Sequence, residues 1–111
     1  MQYTIKEIQG SDYDNIAYFL SEFPDDNLSL SEWKKKLYYW WNENPAYSDD
    51  HIRGLILLYG ENIVGFVGNI PTKMIWDGEE KIVINGTTWR VLPEHRKKSM
   101  ELWFKHRDLT S

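Results

Sequence analysis

The chain has 111 residues, enough for one domain around a single core. Hydrophobic residues make up 41% and charged residues 27%, an ordinary balance for a soluble globular protein and not one of a disordered chain. The net charge of −4 argues against a broad nucleic-acid-binding face, and the lack of cysteine excludes disulfides, thiolate metal sites and cysteine nucleophiles.

In chain order, residues 2–8 alternate Tyr3, Ile5 and Ile8 with polar residues and predict a first strand. Ser11 then reads as a helix cap, with Asp14 in the capping-box position and Ile16, Phe19, Leu20 and Phe23 as the apolar face. Pro24 closes that helix. After Asp25 and Asp26, Ser29 and Glu32 predict the start of a second helix. Its face is Leu30, Trp33, Leu37, Trp40 and Trp41, and Asn44-Pro45 stops it. Tyr38–Trp41 puts four aromatics in a row, more than one helical face can bury, so at least one ring belongs outside the core.

Residues 46–51 form a polar, acidic loop. Three strands follow. Residues 54–59 and 63–70 flank a turn at Glu61-Asn62, and residues 71–76 continue or bend the second strand. Asp77-Gly78 is the strongest hairpin signal in the chain. Residues 81–91 make the third strand, with Gly86 as a bulge or a point of close approach. A final helix follows. Two-residue turns force antiparallel neighbours, so the expected fold is α/β (α+β), order β-α-α-β-β-β-α, with a mostly antiparallel sheet of about four strands.

Charge is concentrated where the last strand meets the last helix. Residues 90–107 carry Arg90, Arg96, Lys97, Lys98, Lys105 and Arg107 against Glu94 and Glu101, a local balance of +4 in a body that is otherwise −8. Arg96, Lys97 and Lys98 fall where a helix is expected to begin, an end that is already electropositive. A strand leading through a basic turn to a helix N-terminus suits a phosphate.

The spacing across Trp89–His106 resembles the acyl-CoA-binding motif of the GNAT superfamily of N-acetyltransferases. There, a strand ending V-x-P-x-x-R runs into a loop written R/Q-x-x-G-x-G/A and then a helix. Val91, Pro93 and Arg96 match, while Ser99 and Glu101 occupy the two glycine positions. The resemblance covers nearly the whole chain in element order and residues 89–102 in motif. It implies a truncated GNAT-like acyl-CoA N-acyltransferase fold over residues 1–111, a single partial domain lacking the later strands and helix of the family.

What the resemblance implies about function is the transfer of an acetyl group from acetyl-CoA to a primary amine. Trp89, Arg90, Val91 and Leu92 would face the pantetheine arm, and Arg96, Lys97, Lys98, Ser99 and Met100 would hold the pyrophosphate. Asp25 and Asp26 fall where the family lines its acceptor site, and the other reading for them is a solvated loop. The alternative function is a non-catalytic GNAT-fold module acting through protein–protein contacts. No catalytic base or acid is named by the sequence. His51, His95 and His106 show no metal-ligand spacing, so no metal is expected. With no apolar run near ~18 residues and no signal-peptide pattern, the expected location is the cytoplasm, away from membranes and nucleic acid. The open strand carrying Ile82, Val83, Ile84 and Trp89 predicts a homodimer.

Overall fold

The computed structural model describes residues 2–23, 27–48 and 51–110. Four strands, β1 (Tyr3–Glu7), β2 (Gly54–Tyr59), β3 (Asn62–Trp76) and β4 (Glu79–Val91), form one antiparallel sheet in the order β1-β2-β3-β4. Helices α1 (Tyr13–Ser21) and α2 (Leu30–Trp40) cover one face, and α3 (Ser99–Thr110) crosses the other.

Strand β2 supplies both faces. Ile56 faces α1 and α2 with Phe66, while Leu55 and Leu57 face α3 with Val64, Val67, Val91 and Leu102. Alternation along a strand makes this possible, because successive side chains leave opposite faces. The larger core is aromatic: Trp33, Trp40 and Trp41 pack with Tyr13, Ile16, Phe19 and Leu20. Of the aromatic block on α2, Tyr38 and Tyr39 lie outside, 47% and 69% exposed. Leu30, expected on the buried face, is also exposed, since it begins the helix at its outer end.

The start of α2 follows the sequence. The Ser29 hydroxyl accepts from the Glu32 amide at 3.2 Å, and the Glu32 carboxylate accepts from the Ser29 amide at 3.1 Å. These bonds hold the Glu32 carboxyl below its usual range. At the other end the Asn44 amide donates to the Trp40 carbonyl at 2.9 Å and to the Pro71 carbonyl at 2.8 Å, tying the helix to β3.

The start of α1 differs from the expectation at Ser11. A 3-10 turn, Gly10–Asp12, precedes the helix, and Asp12, not Asp14, reaches back to the Gln9 amide at 2.8 Å. Asp12 is also held by Lys6 at 3.1 Å, while Asp14 pairs with Lys34 of α2 at 3.3 Å. Likewise the β2–β3 turn is Gly60-Glu61, one residue earlier than expected. Gly60 adopts φ of 63°, a left-handed turn conformation that favours glycine. The Asp77-Gly78 turn stands as expected, with both residues at positive φ.

Candidate functional site

Among the described residues, strand β4 lies at the edge of the sheet and is paired with β3 alone. Its pairing is regular from Glu79 to Thr87, then shifts between Gly68↔Thr87 and Phe66↔Arg90. Two residues, Thr88 and Trp89, therefore oppose Val67, and the ladder bulges. Thr88 has φ of 54°, which a β-branched residue rarely adopts. Backbone strain of this kind persists only where the surroundings enforce it, and it clusters at ligand sites. Gly86 is not the bulge. It is the close-approach point, where an added Cβ would stand 3.2 Å from His106 Cε1.

Beyond the bulge a groove of about 550 Å³ opens, lined by Phe23, Trp89, Arg90, Val91, Arg96, Ser99 and Met100. Six of the nine residues singled out from the motif thus share one surface. Phe23, at the end of α1, is the residue that sequence reasoning placed in the core. It is half-buried, packed edge-on to Phe19 at 5.2 Å, and contributes to the groove from the opposite face of the sheet. The remaining three lie elsewhere. Leu92 lines a neighbouring pocket of about 390 Å³ with Asn15, Tyr18, Phe19, Glu22 and Glu61. Lys97 is exposed. Lys98 pairs with Glu101 at 3.1 Å and stands over the Tyr3 ring at 5.2 Å. Asp25 and Asp26 lie outside the described residues.

The basic turn also takes a form that the sequence did not show. Pro93–Lys98 is a 3-10 helix that continues directly into α3. The helical run therefore begins at Pro93 with Glu94 in its first turn, and the cations lie inside the run, one turn after its start. The His95 amide bonds the Leu92 carbonyl and the Ser99 amide bonds the Arg96 carbonyl, so these two amides are used within the chain. A phosphate at this groove would meet the Arg96 guanidinium and the Ser99 hydroxyl instead. Glu101, at the second glycine position, is turned to Lys98, which offsets its charge.

A stacked row backs the groove. Trp89 stacks on Trp103 at 5.1 Å, and Trp103 on His106 at 5.8 Å. His106 is 5% exposed, and its Nε2–H donates to Oδ1 of the fully buried Asn69. Burial pushes the His106 imidazole below its ordinary value, because charging it there costs hydration. At the sheet's other edge the Tyr3 hydroxyl bonds His95 Nδ1 at 2.7 Å, holding the 3-10 segment to β1. Among the described residues no group of His, Asp and Glu converges as for a metal ion, and no helix is long and apolar enough to cross a membrane.

No family model and no curated protein matches the chain. Solved structures do. A GNAT family acetyltransferase from Staphylococcus aureus superposes with a TM-score of 0.67 at 20% identity, over 99% of this chain and 78% of that one. N-myristoyltransferase of Saccharomyces cerevisiae, solved with bound myristoyl-CoA, gives 0.60 at 13% identity, over 96% of this chain and 26% of its own. A "possible acetyltransferase" from Clostridium difficile gives 0.59 at 16%, over 97% and 69%. The chain has the GNAT fold.

Proposed function

We propose that the groove beyond the β4 bulge binds an acyl-CoA and that the chain takes part in moving its acyl group, acetyl in the simplest case, to a primary amine. The observation that carries this reading is the groove itself, where Trp89, Arg90, Val91, Arg96, Ser99 and Met100 meet at the free end of an edge strand. Likeness of fold to acyltransferases supports it.

Each part of the groove suits one part of such a ligand. Arg96 and Ser99 offer charge and a hydroxyl to phosphate oxygens. Strand β4 remains an edge beyond the bulge, and the outward side of an edge strand suits an extended, amide-bearing arm. Trp89, Val91, Met100 and Phe23 present apolar surface to the arm's methylenes. The bulge sets Thr88 and Trp89 together against Val67, and an N–H that it turned away from β3 would stabilise negative charge growing on a carbonyl oxygen. Bound acyl-CoA would supply the activated thioester, and the chain would contribute mainly positioning.

The reading extends to a cytoplasmic location, which a chain without cysteine suits, and to a homodimer. Titration calorimetry with acetyl-CoA tests it. We expect binding in the micromolar to millimolar range, weakened in an Arg96→Ala/Lys97→Ala double variant, with the difference shrinking at high salt. No heat at millimolar acetyl-CoA from folded protein would overturn the reading for this chain.

A further inference from the structure

The β3–β4 hairpin runs past the body of the protein. Every residue from Thr72 to Val83 is exposed, and the molecule measures 49 Å along its long axis against 30 and 25 Å across. The arm is apolar for its position, with Met74 47%, Ile75 78%, Trp76 63%, Ile82 39% and Val83 37% exposed. Natural edge strands are kept short, kinked, charged or capped by proline. Strand β4 has none of these protections from Ile82 to Thr87, and its bulge comes only at Thr88.

The direction of its free peptide groups follows from the turn. Residues flanking a two-residue hairpin exchange both ladder bonds, and here these are Trp76 and Glu79. Lys81, Val83 and Asn85 then also point at β3. Glu80, Ile82, Ile84 and Gly86 point outward. Pro71 opposite Ile84 agrees, since that register asks for no amide.

The geometry points to a second copy of this chain as the occupant, with β4 pairing antiparallel to itself about a two-fold axis at Val83. This axis sets Ile82 opposite Ile84 of the other copy, Glu80 opposite Gly86, Lys81 opposite Asn85 and Glu79 opposite Thr87. No like charges meet. An axis at Glu80 would oppose two carboxylates, and one at Lys81 two ammonium groups. Axes at Ile82 or Ile84 keep the charges apart but shorten the overlap. Only the Val83 axis uses the regular ladder from Glu79 to Thr87 in full. The pairing joins two sheets into one of eight strands and covers Ile82 and Val83 on both copies.

A consequence at the groove rests on the acyl-CoA reading. In this register the Asp77-Gly78 turn of one copy comes level with Trp89 and Thr88 of the other. The second hairpin therefore ends at the bulge and leaves the edge from Trp89 to Val91 open. Each groove is bounded at one end by the other copy's turn.

Three variants test the dimer without any ligand. Sedimentation of the intact protein should give twice the chain mass. Ile82→Pro removes an outward amide, which an edge strand tolerates, and should give the single mass with an unchanged circular dichroism spectrum. Val83→Cys places two thiols at a non-hydrogen-bonded pair about 4.5 Å apart between Cα atoms, within disulfide reach, so mild oxidation should give a covalent dimer. Ile75→Cys, on β3 and away from the axis, should not. A monomer at all concentrations overturns the proposal. So does a dimer that Val83→Cys fails to trap, one that Ile75→Cys traps equally, or one that persists in folded Ile82→Pro. Failure here leaves acetyl-CoA binding by the monomer to be judged by calorimetry alone.

Discussion

Trp89, on the edge strand, and Trp103, on α3, stack with ring centroids 5.1 Å apart and planes 28° from parallel. Fourteen positions separate them in sequence, yet this contact fixes the wall of the candidate groove from behind. Trp103→Ala should cost about 2 kcal/mol, since the ring is half-buried and stacked on both sides. It should also weaken acetyl-CoA binding although Trp103 does not line the groove. Urea unfolding and calorimetry on one preparation separate the two effects. Stability lost with binding intact would mean that Trp89 holds its place unaided.

Thr88→Gly should stabilise the protein by about 1 kcal/mol, because glycine adopts the positive φ of the bulge at no steric cost. Greater unfolded-chain freedom opposes part of that gain. Thermal unfolding measures the net effect. A destabilised variant would show that the Thr88 side chain contributes more than its backbone strain costs.

Protonation of His106 sets a pH dependence of stability. Burial lowers its folded value below the ordinary 6.5, so the unfolded chain takes up the proton first as pH falls. The stability supplied by the neutral ring is full above that ordinary value and is lost progressively below it. Urea midpoints should therefore drop between neutral pH and pH 5. His106→Gln, which keeps a donor near Asn69, should flatten that slope. An equally steep slope in the variant would assign the effect to other groups.

Arg96 and Lys97 should behave differently, though the motif treats them alike. Arg96 lines the groove and Lys97 is exposed beyond it. Arg96→Ala should weaken acetyl-CoA binding about tenfold, the worth of one charge-assisted bond, and Lys97→Ala less than about twofold. Equal losses would place the phosphate outside the groove.

Ser29→Ala should cost about 1 kcal/mol by breaking the reciprocal cap with Glu32. Chemical denaturation reads this directly. No loss would mean that solvent replaces the cap.

How far the sequence reveals this molecule depends on the range of the signal. The helices around Ile16 and Trp33 were legible because apolar spacing is local, and the Asp77-Gly78 turn because two residues dictate its geometry. The order β2-β3-β4 follows from the two turns, whereas β1 reaches its place beside β2 across two helices and carries no local signal for it. The bulge was not legible: threonine signals a regular strand, and only pairing with Phe66 and Gly68 forces Thr88 out of register. Nor was the Asn69–His106 pair, whose members lie 37 residues apart and carry no periodic mark. The charge spacing brings Arg96 to the groove but not Lys97 or Lys98, and it points to a helix that begins at the charges. Pro93 starts it instead, and that shift changes which groups could hold a phosphate.

Strand β2 gives Leu55 and Leu57 to one core and Ile56 to the other. A slip of one residue in that strand would exchange the contents of the two cores, so neither can rearrange while the other stays intact. The two halves therefore melt as one. Amides of β2 and of β3 before Ile70 should exchange with solvent only through global opening, at a common free energy. The arm beyond Thr72 is outside this linkage, and its amides should exchange orders of magnitude faster in the isolated chain.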